Sequence, residues 1–311
     1  MNSLLSAAFS CLPVKLRHYY YYRLLRNIDF PEIVHIESTN ICNANCIVCP
    51  RERLSRKTGI MDNDLYNKIV DECAKRKEVK ELHLNGFGEC LLDKSLIRKI
   101  VYAKKKGIKK TYFVTNASLL NESIAEGLIS SNLDSLKISI YGFNKDAYEK
   151  IHQGLNFDTT TKNIFNLISL RKKMHSRKPQ IKIQFLSLAE NLETKNDYYK
   201  FWFDKIDPNC NDTIEDFLVH NWVNGRNYNR LENVAQRKSC GVPFLCIQIL
   251  WNGDVSLCCY DFNGITRVGS VRVSSIHSIW NGELYKKIRE IHNLGNFKET
   301  PFCDKCDQLR K

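Results

Sequence analysis

Short apolar segments alternate with amphipathic ones along the first two thirds of the chain. Three of the amphipathic stretches, 63–76, 93–107 and 121–132, carry apolar residues at three- and four-residue spacing and open on an Asn or Asp that would cap a helix. The apolar segments, predicted to be strands, are 32–38, 79–89, 110–116, 134–142, 181–191 and 213–220. A strand followed by a helix, repeated six times, predicts parallel β/α units.

Six β/α units are two short of a closed eight-stranded barrel, which typically needs about 250 residues. The predicted fold class is therefore α/β, with a partial (βα)6 TIM-like barrel. In parallel β/α folds the functional groups lie at the carboxyl ends of the strands. Residues that directly follow the predicted strands are therefore the first candidates for chemistry.

The pattern changes after residue 222. Asn252 and Gly253 form a turn signal between two apolar runs, which predicts a β-hairpin. An amphipathic helix is predicted over 274–294, with Ser274 or Ser275 as its cap. The sequence thus predicts three regions, which are an N-terminal helical arm (1–31), the barrel (32–222) and a small C-terminal cysteine-rich module of a β-hairpin and a helix (223–311).

Composition and charge narrow the possible functions. Hydrophobic residues make up 43% of the 311 residues and charged residues 26%, as in ordinary folded proteins, and no segment predicts a transmembrane helix. The formal net charge of +13 suits an acidic or phosphorylated substrate. No nucleic-acid partner is predicted, because the basic stretches lack the aromatic and glycine patterns of nucleic-acid modules. Thirteen cysteines, an odd number, favour metal ligation over disulfides and a cytoplasmic location.

Three of these cysteines, Cys42, Cys46 and Cys49, directly follow the first predicted strand. A [4Fe-4S] cluster has four irons, and cysteine thiolate is the usual outside ligand of each. Three cysteines would leave one iron with an open coordination position, which a catalytic metal site needs and a purely structural site does not.

This Cys-x3-Cys-x2-Cys loop after the first strand resembles the hallmark of the radical S-adenosylmethionine (radical SAM) superfamily. The resemblance implies that the open iron binds SAM. It further implies that an electron from the cluster cleaves SAM to a 5′-deoxyadenosyl radical, which abstracts a hydrogen from the substrate. A reducing partner such as flavodoxin or ferredoxin is implied as the source of the electron.

Further positions match the superfamily's SAM-binding positions. The segment NGFGEC (85–90) resembles its Gly-Gly-Glu-like turn, which implies that Gly86, Gly88 and Glu89 contact SAM. The resemblance also places Asn116 and Ser139 near the cofactor, although Asn116 could merely cap a turn and Ser139 could be buried filler. The sequence departs from many relatives at two positions: Cys90 stands in place of a proline, and Val48 in place of an aromatic residue.

The C-terminal module resembles a SPASM or twitch domain. The resemblance implies one auxiliary [4Fe-4S] cluster, with ligands at Cys240, Cys258, Cys303 and Cys306. Cys246 is an alternative to Cys240, Cys259 stands beside Cys258, and zinc is an alternative metal. The other cysteines are predicted to be small buried residues, at positions Cys11, Cys73, Cys90 and Cys210.

These features predict a radical SAM oxidoreductase. A cluster whose four irons all have protein ligands leaves no position for substrate, so the auxiliary cluster is expected to accept an electron in a net oxidation (dehydrogenation). A small polar or sugar-type substrate is favoured. The alternatives are a maturase that epimerises or forms thioethers in a peptide or protein, and a non-catalytic, zinc-stabilised binding module. His35 and Glu37 on the first strand, and His220 with Asn221 and Trp222 after the sixth, could face the barrel cavity or could be satisfied polar residues of a large barrel. The sequence assigns no catalytic residue.

Overall fold

The computed structural model describes residues 29–223, 225–226 and 240–307. All six predicted barrel strands are present, and each pairs in parallel with its neighbour in the order β6-β5-β4-β3-β2-β1. They are β1 (Ile33–Ile36), β2 (Glu81–His83), β3 (Lys110–Thr115), β4 (Ser135–Ser139), β5 (Gln180–Ser187) and β6 (Thr213–Leu218). The predicted α/β partial barrel is confirmed. Residues 1–28 of the predicted N-terminal arm, with Cys11, lie outside the described residues.

Six helices connect and follow these strands, and the three helices that the sequence predicts are among them. They are α1 (Asn63–Ala74), α2 (Leu96–Lys105), α3 (Glu122–Ser130), α4 (Lys145–Ile151), α5 (Phe157–Lys173) and α6 (Lys195–Phe203). The predicted cap at Asn121 is confirmed for α3, whereas the predicted cap at Asn63 is wrong, because Asp62, one residue earlier, caps α1. Each of the two caps accepts a backbone N–H three residues on. Asp93 does not cap α2, because its carboxylate instead binds the N–H of Ser95 and the ammonium of Lys99.

The C-terminal region continues the same sheet. It contains β7 (Cys246–Ile249), β8 (Asp254–Ser256) and β9 (Arg267–Ser270), with helices α7 (Val242–Leu245), α8 (Ile276–Trp280), α9 (Glu283–Leu294) and α10 (Pro301–Asp304). Short 3-10 helices lie at Arg51–Arg53, Cys90–Leu92, Pro208–Cys210 and Phe297–Glu299. Strand β7 pairs in parallel with β1, which gives nine continuous strands.

Two predictions for this region have different outcomes. The hairpin is confirmed, since β7 and β8 are antiparallel and Gly253 takes the positive φ, +90°, that its turn requires. The single helix over 274–294 is wrong, because the chain leaves the helical conformation at Gly282 (ψ 158°) and forms two helices, α8 and α9. Of the two predicted caps, Ser275 caps α8.

The sheet has one apolar face and one polar face. Val34, Leu82, Phe113, Leu136 and Ile183 are fully buried in the core that the helices cover. Side chains alternate between the two faces of a strand, so the residues between these face the barrel interior. The interior row consists of His35, His83, Tyr112, Lys137 and Lys182, each half-buried. The core therefore lies outside the sheet, and polar groups line the inside.

Candidate functional site: two cysteine sites at one barrel

The loop with Cys42, Cys46 and Cys49 leaves the carboxyl end of β1, where the sequence predicts the chemistry. It turns tightly, because the N–H of Cys49 donates to the carbonyl of Cys46 at 3.0 Å. Two backbone hydrogen bonds fasten it to the end of α4, from Asn45 N to Gln153 O (2.8 Å) and from Ile47 N to Ile151 O (3.0 Å). The three sulfurs are thus presented by one anchored loop.

Burial determines the protonation of these thiols. It raises the pKa of Cys42 and Cys49, and it raises the pKa of Cys46 to about 12. The positive charge of Arg51 acts in the opposite direction on all three. Iron binds the thiolate form, so loading of this loop releases protons, and Arg51 favours the charged state that the metal requires.

Arg51 also joins the cysteine loop to the NGFGEC turn. Its guanidinium donates to the carbonyls of Asn40 (3.2 Å) and Phe87 (3.1 Å) and lies 5.4 Å from the Phe87 ring centroid. The N–H of Glu89 donates to the carbonyl of Ile41 at 2.8 Å. The two segments that the sequence assigns to the cluster and to SAM therefore lie side by side.

Glycine is required in this turn because the backbone segments approach closely. A Cβ on Gly88 would lie 2.5 Å from the carbonyl oxygen of Ile41, and one on Gly86 would lie 2.3 Å from Cγ of Glu37. Both distances are below van der Waals contact. Any larger residue at either position would push the turn away from the cysteine loop.

The carboxylate of Glu89 forms its hydrogen bonds with other residues of the protein. This buried carboxylate accepts from Thr115 Oγ1 (2.7 Å), from the N–H of Asn116 (2.7 Å) and from the N–H of Leu91 (3.1 Å). Desolvation still raises its pKa. Asn116 in turn donates from Nδ2 to Asn43 Oδ1 at 3.0 Å, so this predicted SAM residue reaches the cysteine loop. Ser139, at the end of β4, is half-buried and donates to Gln184 at 3.3 Å.

Glu37 contacts both the glycine turn and the C-terminal hairpin, a role that the sequence did not predict. Its side chain is 1% exposed and forms an ion pair with Arg56, through contacts of 2.7 and 2.5 Å. The same carboxylate accepts the N–H of Phe87 (3.2 Å) in the glycine turn and the N–H of Trp251 (3.1 Å) in the C-terminal hairpin. One buried anion therefore holds the candidate SAM turn and the C-terminal region to β1.

The four cysteines predicted for the auxiliary cluster surround one pocket. Cys240, Cys258, Cys303 and Cys306 line it together with apolar residues and His292. Among the described residues, no three His, Cys, Asp or Glu side chains converge closely enough to hold a single metal ion. A cluster binds each thiolate to a different iron, so it accepts ligands that stand further apart than those of one zinc ion. The residues present fit a cluster.

The two ambiguous cysteines lie close to this pocket, and the thiols of Cys259 and Cys258 are hydrogen-bonded to each other. Cys246 begins β7 in register with Ile33, and Cys259 is exposed next to Cys258. Neither lines the pocket, so the geometry favours Cys240 over Cys246 and Cys258 over Cys259 as ligands. Cys73, Cys90 and Cys210 are buried, as the sequence predicts.

The barrel interior carries a continuous row of polar rings and charges. The ring centroids of His35 and His83 lie 4.5 Å apart, as do those of His83 and Tyr112. Lys137 follows on β4, in an ion pair with Glu215 of β6 at 2.8 Å. Burial, followed by the neighbouring His83, lowers the pKa of His35 to about 3, so this imidazole is neutral.

Several polar atoms of this interior lack a hydrogen-bond partner within the described ranges. They include His35 Nδ1, His83 Nδ1, Asn85 Oδ1 and Gln248 Oε1. Gln248 pairs with His35 across the β7–β1 ladder, and this pairing could not be read from the sequence. Unpaired buried polar atoms are unfavourable in a dry core, so this row suits a cavity that receives a polar ligand.

A tight turn after β6 contacts both cysteine sites. Trp222 Nε1 donates to the carbonyl of Val48 at 2.8 Å, beside Cys49, while Val223 lines the auxiliary pocket. Both residues have positive φ, 48° and 54°, which is costly for non-glycine residues. The N–H of Asn221 donates to Asp307 at 2.8 Å. The turn therefore bridges the two sites at the cost of a strained backbone.

Comparison with known families agrees with this geometry. Residues 36–176 match the radical SAM superfamily profile, and residues 240–307 match the SPASM profile, an iron-sulfur cluster-binding domain. The chain belongs to the radical SAM superfamily and carries a SPASM domain. These domains imply a [4Fe-4S] cluster with SAM and auxiliary iron-sulfur clusters, respectively.

One curated relative is the tungsten-containing aldehyde ferredoxin oxidoreductase cofactor-modifying protein of Pyrococcus furiosus. It is 26% identical over 159 residues, which cover 51% of this chain and 44% of that protein. A probable GTP 3′,8-cyclase of Methanocaldococcus jannaschii is 27% identical over 173 residues, 54% of each chain. The chain thus spans about half the length of these curated relatives.

Two solved structures share the fold. BtrN, in a complex with AdoMet and 2-DOIA, aligns over 89% of this chain and 92% of its own, with a TM-score of 0.63 and 17% identity. Streptococcus suis SuiB, bound to the precursor peptide SuiA, aligns over 88% of this chain and 70% of its own, with a TM-score of 0.69 and 14% identity. In the part of the chain that the structure describes, none of the helices is long and apolar enough to cross a membrane.

Proposed function

We propose that this chain cleaves SAM reductively at a cluster held by Cys42, Cys46 and Cys49, and that it dehydrogenates a small polar or sugar-like substrate. Bound SAM supplies the hydrogen-abstracting radical. The chain's own residues orient this chemistry. Gly86 and Gly88 let the proposed SAM-binding turn pack closely on Glu37 and the cysteine loop, and Glu89 and Asn116 fix the strand end behind it. An external reducing partner such as flavodoxin or ferredoxin supplies the electron for cleavage.

The pocket of four cysteines carries the proposal of a net oxidation. With Cys240, Cys258, Cys303 and Cys306 around one pocket, each iron of a four-iron cluster has a protein ligand. No iron is then left for the substrate to bind. Removing one hydrogen atom leaves a substrate radical, and a closed-shell product forms when one further electron and a proton leave. The fully ligated auxiliary cluster is the acceptor proposed for that electron.

The barrel interior supports a polar substrate. His35, His83, Asn85 and Gln248 present polar atoms without partners among the described residues. Hydroxyl and amino groups of a small polyol or amino sugar would satisfy such atoms. The net charge of +13 also suits a substrate that carries an acidic or phosphate group.

Anaerobic reconstitution tests the cofactor part of this proposal. We expect about eight irons per chain, from two four-iron clusters, and 5′-deoxyadenosine on addition of dithionite and SAM. Replacing Cys42, Cys46 and Cys49 by alanine is expected to abolish cleavage and leave about half the iron. Four irons in the wild-type chain, or zinc in place of iron in the second site, would contradict the electron-acceptor role.

The reaction class requires a second experiment. The reduced enzyme would be incubated with SAM and a panel of amino sugars, polyols and short peptides, and the products would be analysed by mass spectrometry. The proposal expects a sugar-type compound to lose two hydrogens, in a reaction that depends on Cys303 and Cys306. Modification of peptides alone would contradict it.

A peptide maturase is the second candidate, and one observation favours it. Strand β6 is an edge, with no strand paired on its outer side among the described residues, and it ends in the exposed side chains of Phe217 and Leu218. An extended peptide can add to such an edge. The product analysis above discriminates the two candidates, because a maturase would change peptides in the panel and leave the sugars unchanged.

A further inference from the structure

His152 lies next to the first cysteine site, although no SAM-binding or cluster-binding pattern of the sequence includes it. It directly follows α4 and is 1% exposed. Its ring lies between two tyrosines, with centroid distances of 4.7 Å to Tyr141 and 4.6 Å to Tyr148. Its own N–H donates to the carbonyl of Tyr148 at 2.7 Å. The imidazole is therefore fixed by packing on both faces and by its backbone.

Both ring nitrogens of His152 have defined neighbours. Nε2 lies 3.1 Å from the backbone nitrogen of Tyr141, and Nδ1 lies 3.4 Å from Sγ of Cys46. A backbone N–H can only donate, so Nε2 must accept with its lone pair. A neutral imidazole has one ring proton, which must then be on Nδ1. The contact with Cys46 is thus an N–H···S hydrogen bond with His152 as the donor.

The same contact is held from both sides by the backbone. The hydrogen bonds from Asn45 to Gln153 and from Ile47 to Ile151 join the residues that flank Cys46 to the residues that flank His152. Cys46 and His152 are therefore opposite each other in a short paired segment. These bonds hold the backbone of Cys46 beside that of His152, which keeps the sulfur within reach of the imidazole.

We propose that His152 donates a hydrogen bond to the Cys46 thiolate of the SAM-binding cluster and thereby raises the reduction potential of that cluster. Hydrogen bonds to the sulfurs are among the determinants of iron-sulfur potentials, because they stabilise the added negative charge of the reduced state. His152 is a positioning and tuning residue that acts through Cys46. This inference rests on the proposed function to the extent that a cluster must occupy the cysteine loop.

Two near-isosteric variants separate the two hydrogen bonds of the ring. In His152→Asn the amide nitrogen can occupy the place of Nδ1 and keep the donor to Cys46, while the acceptor for Tyr141 is lost. In His152→Gln the side-chain oxygen can occupy the place of Nε2 and keep that acceptor, while the donor at Nδ1 is lost. A third variant, His152→Phe, keeps a ring between the two tyrosines and removes both.

The measurement is an EPR-monitored redox titration of the reconstituted holoenzyme, following the signal that changes when SAM is added. The proposal expects a lower midpoint potential in His152→Gln and His152→Phe and a near wild-type value in His152→Asn. The matched control is His277→Gln, because His277 lies on α8, where it pairs with Asp29. It should leave the potential unchanged.

The outcomes distinguish this inference from the proposed function. If the wild-type chain binds no cluster at Cys42, Cys46 and Cys49, the proposed function fails, and the tuning role fails with it. If the cluster forms and responds to SAM but the Gln and Phe variants titrate like wild type, the tuning role alone is overturned. Equal shifts in the Asn and Gln variants would also overturn it, since they would indicate a structural effect without a specific donor.

Discussion

Replacing Glu37 by glutamine tests whether one buried anion holds the two cysteine sites in a common frame. The variant keeps the size of the side chain but removes the charge that Arg56 and the N–H groups of Phe87 and Trp251 share. The amide keeps one acceptor oxygen, so either the glycine turn or the C-terminal hairpin would lose its hydrogen bond to residue 37. We therefore expect a loss of stability and weaker SAM binding from this single change.

The magnitude follows from burial. Glu37 and Arg56 have side chains 1% and 14% exposed, so solvent screens their pair weakly. Removing one partner of a buried ion pair typically costs about 3 to 5 kcal/mol, because the remaining charge loses its compensation. Exposed pairs contribute about 0.2 to 1 kcal/mol. Against a typical total of about 5 to 15 kcal/mol, the expected loss is a large fraction of the stability.

Urea unfolding followed by circular dichroism measures the change in the free energy of unfolding, and calorimetry on the reconstituted protein measures SAM affinity. The matched control is Lys286→Gln, which removes an exposed i,i+3 pair with Glu283, with side chains 58% and 91% exposed. It should cost less than about 1 kcal/mol. A comparable small loss in Glu37→Gln, with normal SAM affinity, would refute the anchoring role.

Three further changes test separate parts of the account. Gly88→Ala should abolish SAM binding in calorimetry, since its Cβ would lie 2.5 Å from a backbone oxygen, whereas Gly241→Ala, with its nearest atom at 3.8 Å, should bind normally; equal affinities would contradict the close approach. His35→Gln should flatten the loss of stability in acid. Burial lowers the pKa of His35 to about 3, so its stabilising contribution is complete above about pH 6.5 and is lost as the pH falls toward 3. Between pH 7 and pH 5, the free energy of unfolding measured in urea should fall more in the wild type than in His35→Gln, by at most about 2 kcal/mol. An equal fall in the two proteins would argue against a buried neutral imidazole. His292→Phe should shift the reduction potential of the auxiliary cluster and leave that of the first cluster unchanged. His292 lines the auxiliary pocket, and neither of its ring nitrogens has a hydrogen-bond partner within the described residues, so its ring N–H is available to the cluster. An unchanged potential would show that His292 does not act on the auxiliary cluster.

The sequence was sufficient for features that local periodicity and spacing encode. The β/α alternation predicted all six barrel strands, and the turn signal at Asn252-Gly253 predicted the hairpin. The helix break at Gly282 was missed because the apolar spacing of α8 continues into α9 almost in phase. The pairing of β7 with β1 was missed because it joins residues more than 200 positions apart, and short strands carry no sequence mark of their partner.

The candidate site shows the same division. The motifs identified the cysteines and glycines, because these residue types are required by metal ligation and by close backbone approach. They did not identify Glu37, Arg56 or His152, whose roles depend on which distant groups the fold places beside them. They favoured Cys240 over Cys246, and the position of Cys240 in the pocket lining agrees with that prediction. Roles that depend on tertiary contacts could be assigned only from the structure.

The central claim is that one iron of the first cluster has no ligand from this chain and binds SAM. Electron-nuclear double resonance on the reduced enzyme, with SAM labelled with ¹⁵N at its amino group, tests it directly. The account predicts a strong coupling between the labelled nitrogen and the cluster, which disappears in a chain without Cys42, Cys46 and Cys49. A reduced cluster that shows no such coupling, or one coupled to a protein nitrogen in its place, would contradict the account.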